Sequence, residues 1–545
     1  MNTINKYNRI ILGCFLLLSV FFAQAQDNSM IPAIKKEVER NKSLLKIDRL
    51  KSPFFISYAI ADMEVMEINA SLGALLNSTK YPRRIGFPTI LIGDYQRNNL
   101  NSTSSRIYPS LLPFDNSEGI AIGIWDVLDY AYKFEAEGYE TKLSALSQQN
   151  QDNPELKIPD YEKVAPFNAL HPERKANLDQ TYWENYARKA SEVTKNYPEL
   201  TNSGVRMANR NATYYYYDTE DNVYSFSSPV HQICLNVWML TDDGQEMSDQ
   251  LYFERSSFED MPDVNTFIAA CNEFVSEFVK LKYAPMVEES YVGPVLFEKM
   301  ALLELFQQQL FQNNGLIARR GRVGNNNAGG NDTEMMLGKK LISRNLTIKS
   351  LTGTKTFEGK NLDGYYPIDF QGVVPSPELT LVDKGVLKAM LNGRTPTLKT
   401  PNSNGHARFN PQQGNQIVAP GNVQLLCEDV FSNDKAKQKL IEAAKEEDLE
   451  YAYIVRRYRA NNPIMVYRVY VEDGREELVR GVRFDTGLRS FRRVIGASDK
   501  NHITSTLSFG EFVTYIVPES LLFEEIEVAK SNITLKTPYI IPQPK

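Results

Sequence analysis

Apolar positions along the chain keep two rhythms. Residues 27–50 space Ile34, Val38 and Leu44–Leu45 among charged positions, the period of an amphipathic helix. Short apolar or alternating runs then predict strands at Phe54–Ala61, Val65–Leu72 and Phe87–Asp94. Helical spacing returns over Ala121–Gln148, through Ile124, Val127, Leu128, Ala131 and Phe134. It returns again over Gln180–Asn196, through Trp183, Tyr186 and Ala187. Between Ala212 and Phe258 the runs TYYYYD, VYSFSS, ICLNVWML and LYFERSS predict strands. The last two flank Asp242-Asp243-Gly244-Gln245, a hairpin turn in which Asp-Gly tolerates positive φ. Thr266–Lys282 closes this half as a helix with Phe267, Ala270, Phe274, Phe278 and Leu281 in a stripe. The tyrosine run and the phenylalanine stripe read as core at these spacings.

The stretch from Ala284-Pro285 to Pro294 carries two prolines and the polar tract Glu288-Glu289-Ser290. It divides the chain into an N-terminal domain, 26–284, and a C-terminal domain, 285–545. Tyr291–Gln312, YVGPVLFEKMALLELFQQQLFQ, is predicted as a helix in which Leu296, Met300, Leu303, Phe306 and Leu310 pack a core. Residues 319–334, RRGRVGNNNAGGNDTE, are a flexible loop, either a surface insertion or a flap over substrate or partner. Val466–Glu472 and Leu478–Phe484 flank Asp473-Gly474 as a hairpin, and Phe523–Leu535 is a late strand pair or a bent strand. The expected class is α+β with two domains. The N-terminal one is mixed α/β, and the C-terminal one is rich in antiparallel strands.

The first residues change the picture of where this chain works. Lys6 and Arg9 precede the apolar run Ile10–Phe22, and Ala23-Gln24-Ala25 is an A-x-A cleavage site. The run is short for a bilayer span. Residues 1–25 are therefore expected to be a signal peptide cut after Ala25, which places the mature chain in the periplasm or outside the cell. No later segment is long and apolar enough to predict a second span. The chain has 61 Lys and Arg against 67 Asp and Glu, and loses Lys6 and Arg9 with the leader. That acidic balance gives nucleic acid no electrostatic reason to bind. Cys234, Cys271 and Cys427 are too few and too far apart for a disulfide scaffold, and their apolar flanks read as buried thiols.

Candidate chemistry is sparse. The histidines are His171, His231, His406 and His502, and no two share a helical turn. Zinc hydrolysis needs imidazole, thiolate or carboxylate ligands and an open coordination position, and no such cluster is spaced here. No G-x-S-x-G elbow, Walker loop or dinucleotide fingerprint occurs. Asp369, His406 and Arg408 form an acid/base set if the fold joins them, and are structural residues otherwise.

Four segments carry a family likeness. Pro367–Val373 (PIDFQGV) resembles an I-D-D-E-G-x-P stretch. Leu381–Leu391 (LVDKGVLKAML) resembles L-I-E-N-G-x-L-K-x-Y. Asn404–Arg408 (NGHAR) resembles T-G-N-x-R-R, and Val469–Gly481 resembles a late hairpin with an E-N-G turn. In this order they resemble the TldD/PmbA (TldD/E) metalloprotease family. The resemblance implies a helix near residues 302–312 carrying H-E-x-x-x-H for zinc, with a third ligand from a C-terminal cysteine. Here that window holds Leu302, Leu303, Phe306, Leu310 and Phe311, and Asn501–Tyr515 has His502 but no cysteine. Phe370 and Gln371 replace two acids of the first stretch. The resemblance therefore implies a member without the zinc motif and with no cofactor of its own. Such a chain acts as a zinc-less subunit beside an H-E-x-x-x-H-bearing partner in peptide degradation or processing. A binding protein on the same scaffold and a hydrolase with a repositioned site are the alternatives.

Overall fold

The structure, a computed structural model, describes residues 30–102, 108–113, 117–149, 154–312, 315–323, 331–410, 415–459, 462–508 and 510–537. The leader assigned to residues 1–25 and the middle of the Gly/Asn-rich loop, 324–330, lie outside the described residues.

The N-terminal half is built on one long hairpin. β1 (Pro53–Ser71) and β2 (Ala74–Ile92) pair antiparallel along their length. Leu72 and Gly73, at φ 49° and 78°, form the tight turn. Sequence reading divides this stretch into three short strands because Asp62 and Glu64 interrupt the apolar pattern. Both are answered from β2: Asp62 by its cross-strand partner Arg84 at 2.8 Å, and Glu64 by Lys80 at 3.2 Å. Opposite charges placed across a ladder support a strand that composition alone would break.

The sheet continues through β3 (Ser110–Leu111), β4 (Asn168–Leu170), β5 (Leu200–Asp218), β6 (Val223–Ser227), β7 (Val230–Leu240) and β8 (Glu246–Arg255). β5 pairs with β1, and β7 and β8 form the Asp243-Gly244 hairpin, with Gly244 at φ 91°. Period-2 alternation gives the sheet two working faces. Ile56, Tyr58 and Ile60 of β1 lie beneath α1 (Met30–Leu44) and α2 (Ser117–Ser147), against Ile34, Val38, Ile124 and Leu128. Further along, Met66 and Ile68 lie beneath α3 (Gln180–Glu192) and α4 (Val264–Val279). Ala59, Ala61 and Met63 face the other way, where Phe370 and Phe409 of the C-terminal half close over them. The four tyrosines divide likewise, Tyr215 and Tyr217 to the helices and Tyr214 and Tyr216 to the C-terminal half.

Residues 291–312 are not one helix. β9 (Tyr291–Glu298) is a strand, and α5 (Lys299–Gln307) follows it, ending in a π turn at Gln308–Gln312. Pro294 has no N–H to give a ladder, and the facing strand, Ser520–Lys530, shifts register between Phe523 and Ile526 opposite it. Lys299, at φ 41°, turns the chain from strand to helix. α5 sits between two sheets. One contains β9 with strands 451–459 and 520–530. The other runs through 346–350, 379–383, 422–427, 501–508 and 511–518. Leu302, Leu303, Phe306, Leu310 and Phe311 are fully buried among Tyr453 and Phe523 of the first sheet and Val423 and Tyr515 of the second. The late segment forms the single irregular strand 520–530. The molecule is α+β with two domains, and among the described residues no helix is long and apolar enough to cross a membrane.

Candidate functional site

A cleft of about 880 Å³ opens where the second face of the N-terminal sheet meets the C-terminal half. Its apolar floor includes Met63, Val65, Val230, Ile417 and Leu507. Four arginines, Arg83, Arg206, Arg210 and Arg319, share the lining. The alternation of β5 puts Arg206, Ala208 and Arg210 on the same face. Two carboxylates share the lining, and both are engaged. Glu67 lies 3.6 Å from Arg206. Glu254, buried, accepts the Leu507 amide at 2.7 Å and the Gln232 carboxamide at 2.5 Å, and burial pushes its pKa up. Nε and Nη2 of Arg210 are shut off from solvent and have no hydrogen-bond partner among the described residues. The Gly/Asn-rich loop starts at this cleft with Arg319. Arg320 then ties it to the N-terminal half, 3.0 Å from Asp160 and 2.8 Å from the Pro159 carbonyl.

One wall of the cleft adjoins the place where the resemblance implies zinc. Within residues 302–312 a single register puts polar residues at all three motif positions (i, i+1, i+5): Gln307, Gln308 and Gln312. Gln307 is buried and donates its carboxamide to Ser508 Oγ at 2.5 Å, and Ser508 in turn meets Thr506 at 3.2 Å. Gln312 is exposed, so the two ends of the register do not converge. Ser508 lies in the chain between the lining residues Leu507 and Gly510. His502 stands at the opposite end of the same strand, near Lys299 and Glu519. Among the described residues no three His, Cys, Asp or Glu side chains come together. Neutral carboxamides and hydroxyls are not the donor set of a zinc site, so the residues present do not fit the metal.

The fold brings Asp369 beside the segment that carries His406 and Arg408, but the three side chains are held by different partners. Asp369 Oδ1 accepts the amides of Gln371 and Val373, and Oδ2 that of Ala407, all at 2.9 Å. Gly372, at φ 82°, closes this turn. Burial pushes the Asp369 pKa up to about 6, against those three amides. His406 Nδ1 meets Asn404 Oδ1 at 2.8 Å. That oxygen already accepts the Asn392 amide, so Nδ1 carries the proton. Nε2 then accepts from Ser350 Oγ at 2.9 Å, with Thr352 Oγ1 at 3.3 Å. Burial pushes the His406 pKa down to about 3. The chain Ser350–His406–Asn404 has the order of a nucleophile, a base and its orienter. Yet Ser350 and His406 are each only 1% exposed. The small cavity beside Asp369 and Arg408 holds about 20 Å³, room for one water and no substrate. Arg408 donates to the carbonyls of Pro420 and Phe512 and lies 4.4 Å from the Tyr366 ring centre.

Sequence reading missed Arg206, Arg210, Glu254 and Gln307. The signal for the arginines is in VRMANR, where they alternate on a strand, but predicted strands start only at Ala212 and leave that segment unassigned. Cys234, Cys271 and Cys427 are free, and burial pushes their thiols up to about 11, 12 and 11. They are inert at neutral pH.

Residues 290–530 match the model of the PmbA/TldA metallopeptidase C-terminal domain. Crystal structures with this fold include a candidate modulator of DNA gyrase from Bacteroides thetaiotaomicron, 11% identical, TM-score 0.57, covering 93% of this chain and 99% of that one. TldE from Thermococcus kodakarensis is 11% identical, with TM-score 0.55, over 91% of this chain and 100% of that one. A candidate modulator of a DNA gyrase from Thermotoga maritima is 15% identical, with TM-score 0.54, over the same shares. No curated protein matches the chain.

Proposed function

Because this chain belongs to the TldD/PmbA family through residues 290–530, we propose that it is an exported, zinc-less subunit. In this reading it partners an H-E-x-x-x-H-bearing relative and helps enclose peptides for degradation or processing. The observation that carries the proposal is Gln307. At the one register that could hold the motif, the helix presents a carboxamide fastened to Ser508, while the sheets and the cleft around it are intact. A scaffold of this size has a use without metal only if its surfaces do other work. The other work favoured here is to shape a chamber and an interface. A binding protein without a peptidase partner is the competing reading, and the arginine-lined cleft serves it equally well.

Isolation of the chain from its native host, tagged after Lys545, tests the subunit reading. Size-exclusion chromatography and mass spectrometry should find a zinc-bearing relative bound, through an interface of at least ~1,000 Å². Peptidase activity should follow that partner and vanish with a chelator. The tagged chain itself should begin at Gln26. A lone monomer whose hydrolysis resists chelator and needs His406 would sink the proposal.

A further inference from the structure

Two groups of unpaired charge, opposite in sign, meet on the surface of the C-terminal half. Segments 339–345 and 489–494 run side by side. The Ser343 amide donates to the Phe491 carbonyl at 2.8 Å, and Arg492 Nε to the Leu341 carbonyl at 3.1 Å. Together they expose Lys339, Lys340, Arg344 and Arg492, none of which has an ion pair among the described residues. The next residue, Arg493, is paired with Glu525, and its carbonyl accepts the Glu524 amide at 3.1 Å. Beyond that pair the sign reverses. Glu447, Asp448, Glu524 and Glu527 are exposed and equally without an ion pair among the described residues. Partial burial, and then the charges of Glu524 and Glu525, push the Glu447 pKa up. Glu527 stands across the ladder from Asp485, like charge against like. Ile495, 37% exposed, adds apolar surface beside the junction. None of these residues lines the cleft.

We infer that this face binds a second copy of the chain across a two-fold axis near the Arg493–Glu525 pair. Patches of opposite sign set side by side fit a copy of themselves turned by 180°. The basic patch of each protomer then meets the acidic patch of the other, and the contact closes as a dimer. Each unpaired cation gains an acid, and the repulsion around Glu447 and Glu527 is relieved. The chain itself is the partner this chemistry selects, because an acidic partner would answer only the cations and a basic one only the acids. The inference uses other residues than the subunit reading and does not rest on it.

Sedimentation of the purified mature chain, alone, provides the test. Screening by salt weakens contacts between exposed charges, so the dimer Kd should rise at least about tenfold between about 50 mM and about 500 mM salt. Two charge-reversed triple variants separate the patches. One carries Lys339→Glu, Lys340→Glu and Arg344→Glu, and has two acidic patches. The other carries Glu447→Lys, Glu524→Lys and Glu527→Lys, and has two basic ones. Each alone should be a monomer with the native melting temperature, since all six positions are exposed. Mixed in equal amounts they should form a mixed dimer, because both contacts of the two-fold are then attractive again, and a misfolded variant could not give that rescue. A mixture that stays monomeric would overturn the inference, as would a dimer indifferent to salt and to both variants. Oligomers that grow without closing would overturn the two-fold. A native chain that stays monomeric at about 100 µM in low salt, yet binds a zinc-bearing relative, would overturn this inference and leave the subunit reading standing.

Discussion

His406 and Asp369 lie in adjoining segments, joined by the Ala407 amide on Asp369 Oδ2, and respond to acid in opposite ways. His406 is held neutral, its pKa pushed down to about 3, so below pH 6.5 the unfolded chain binds a proton that the folded chain refuses. Its contribution is complete above pH 6.5 and is lost as the pH falls towards 3. Asp369 keeps its proton up to about pH 6, against an ordinary 3.8, so its contribution is complete below 3.8 and is lost as the pH rises through 6. Urea denaturation of His406→Asn beside the native chain at pH 7 and pH 4 measures the first. The native advantage should shrink on acidification by on the order of 3 kcal/mol. For Asp369→Asn the native advantage should instead grow, by on the order of 2 kcal/mol. Parallel pH dependence in the two variants would mean that one of these groups is solvated. The motif segments were legible in the sequence as a likeness, and the candidates Asp369, His406 and Arg408 came from it. What each one touches was not legible, because Ser350, Thr352 and Phe512 are remote in the chain and only the fold delivers them.

Among the elements, α5 is the one on which the functional reading turns. Leu303 and Phe306 are fully buried between two sheets. Leu303→Asp or Phe306→Asp would place an unpaired carboxylate there, and each should cost about 4 kcal/mol or more, seen as a fall in the urea midpoint. Native midpoints in both variants would show the helix to be exposed and would leave its surface open to a site. The apolar stripe that identifies this core was plain in the sequence. The start of the helix was not, because Val295, Leu296 and Phe297 suit a buried strand as well as a helix, and periodicity cannot separate short apolar runs. Only the pairing of β9 with residues 451–459 and 520–530 decides it. The same limit split β1 and β2, whose charged centre reads as a break until Arg84 is placed opposite Asp62.

At the scale of the molecule, what positions the cleft is the seam between the halves. Arg394, wholly buried, reaches across it from the C-terminal half. It lies 2.6 Å from Glu220, donates Nε to the Glu162 carbonyl at 2.8 Å, and stacks 4.2 Å from the Tyr161 ring centre. Tyr95 donates to the other oxygen of Glu220 at 2.5 Å. Nearby, Phe370 and Phe409 insert among Tyr214, Tyr224 and Phe87. Phe370 stands where the family likeness has an acid, so a polar position of the motif serves here as an apolar plug between domains. Removing one member of a buried ion pair strands the other, which costs about 3–5 kcal/mol. Arg394→Met should therefore destabilise the chain by that amount. Adding Glu220→Gln should recover part of the loss, because no charge is then left buried. A double-mutant cycle on calorimetric or urea data should give a coupling near 2 kcal/mol, within the range for groups in direct contact. Coupling below about 0.5 kcal/mol would mean that the pair does not join the halves. The seam would then rest on the aromatic cluster and on its other polar ties, among them Arg320 with Asp160 and the Leu507 amide on Glu254.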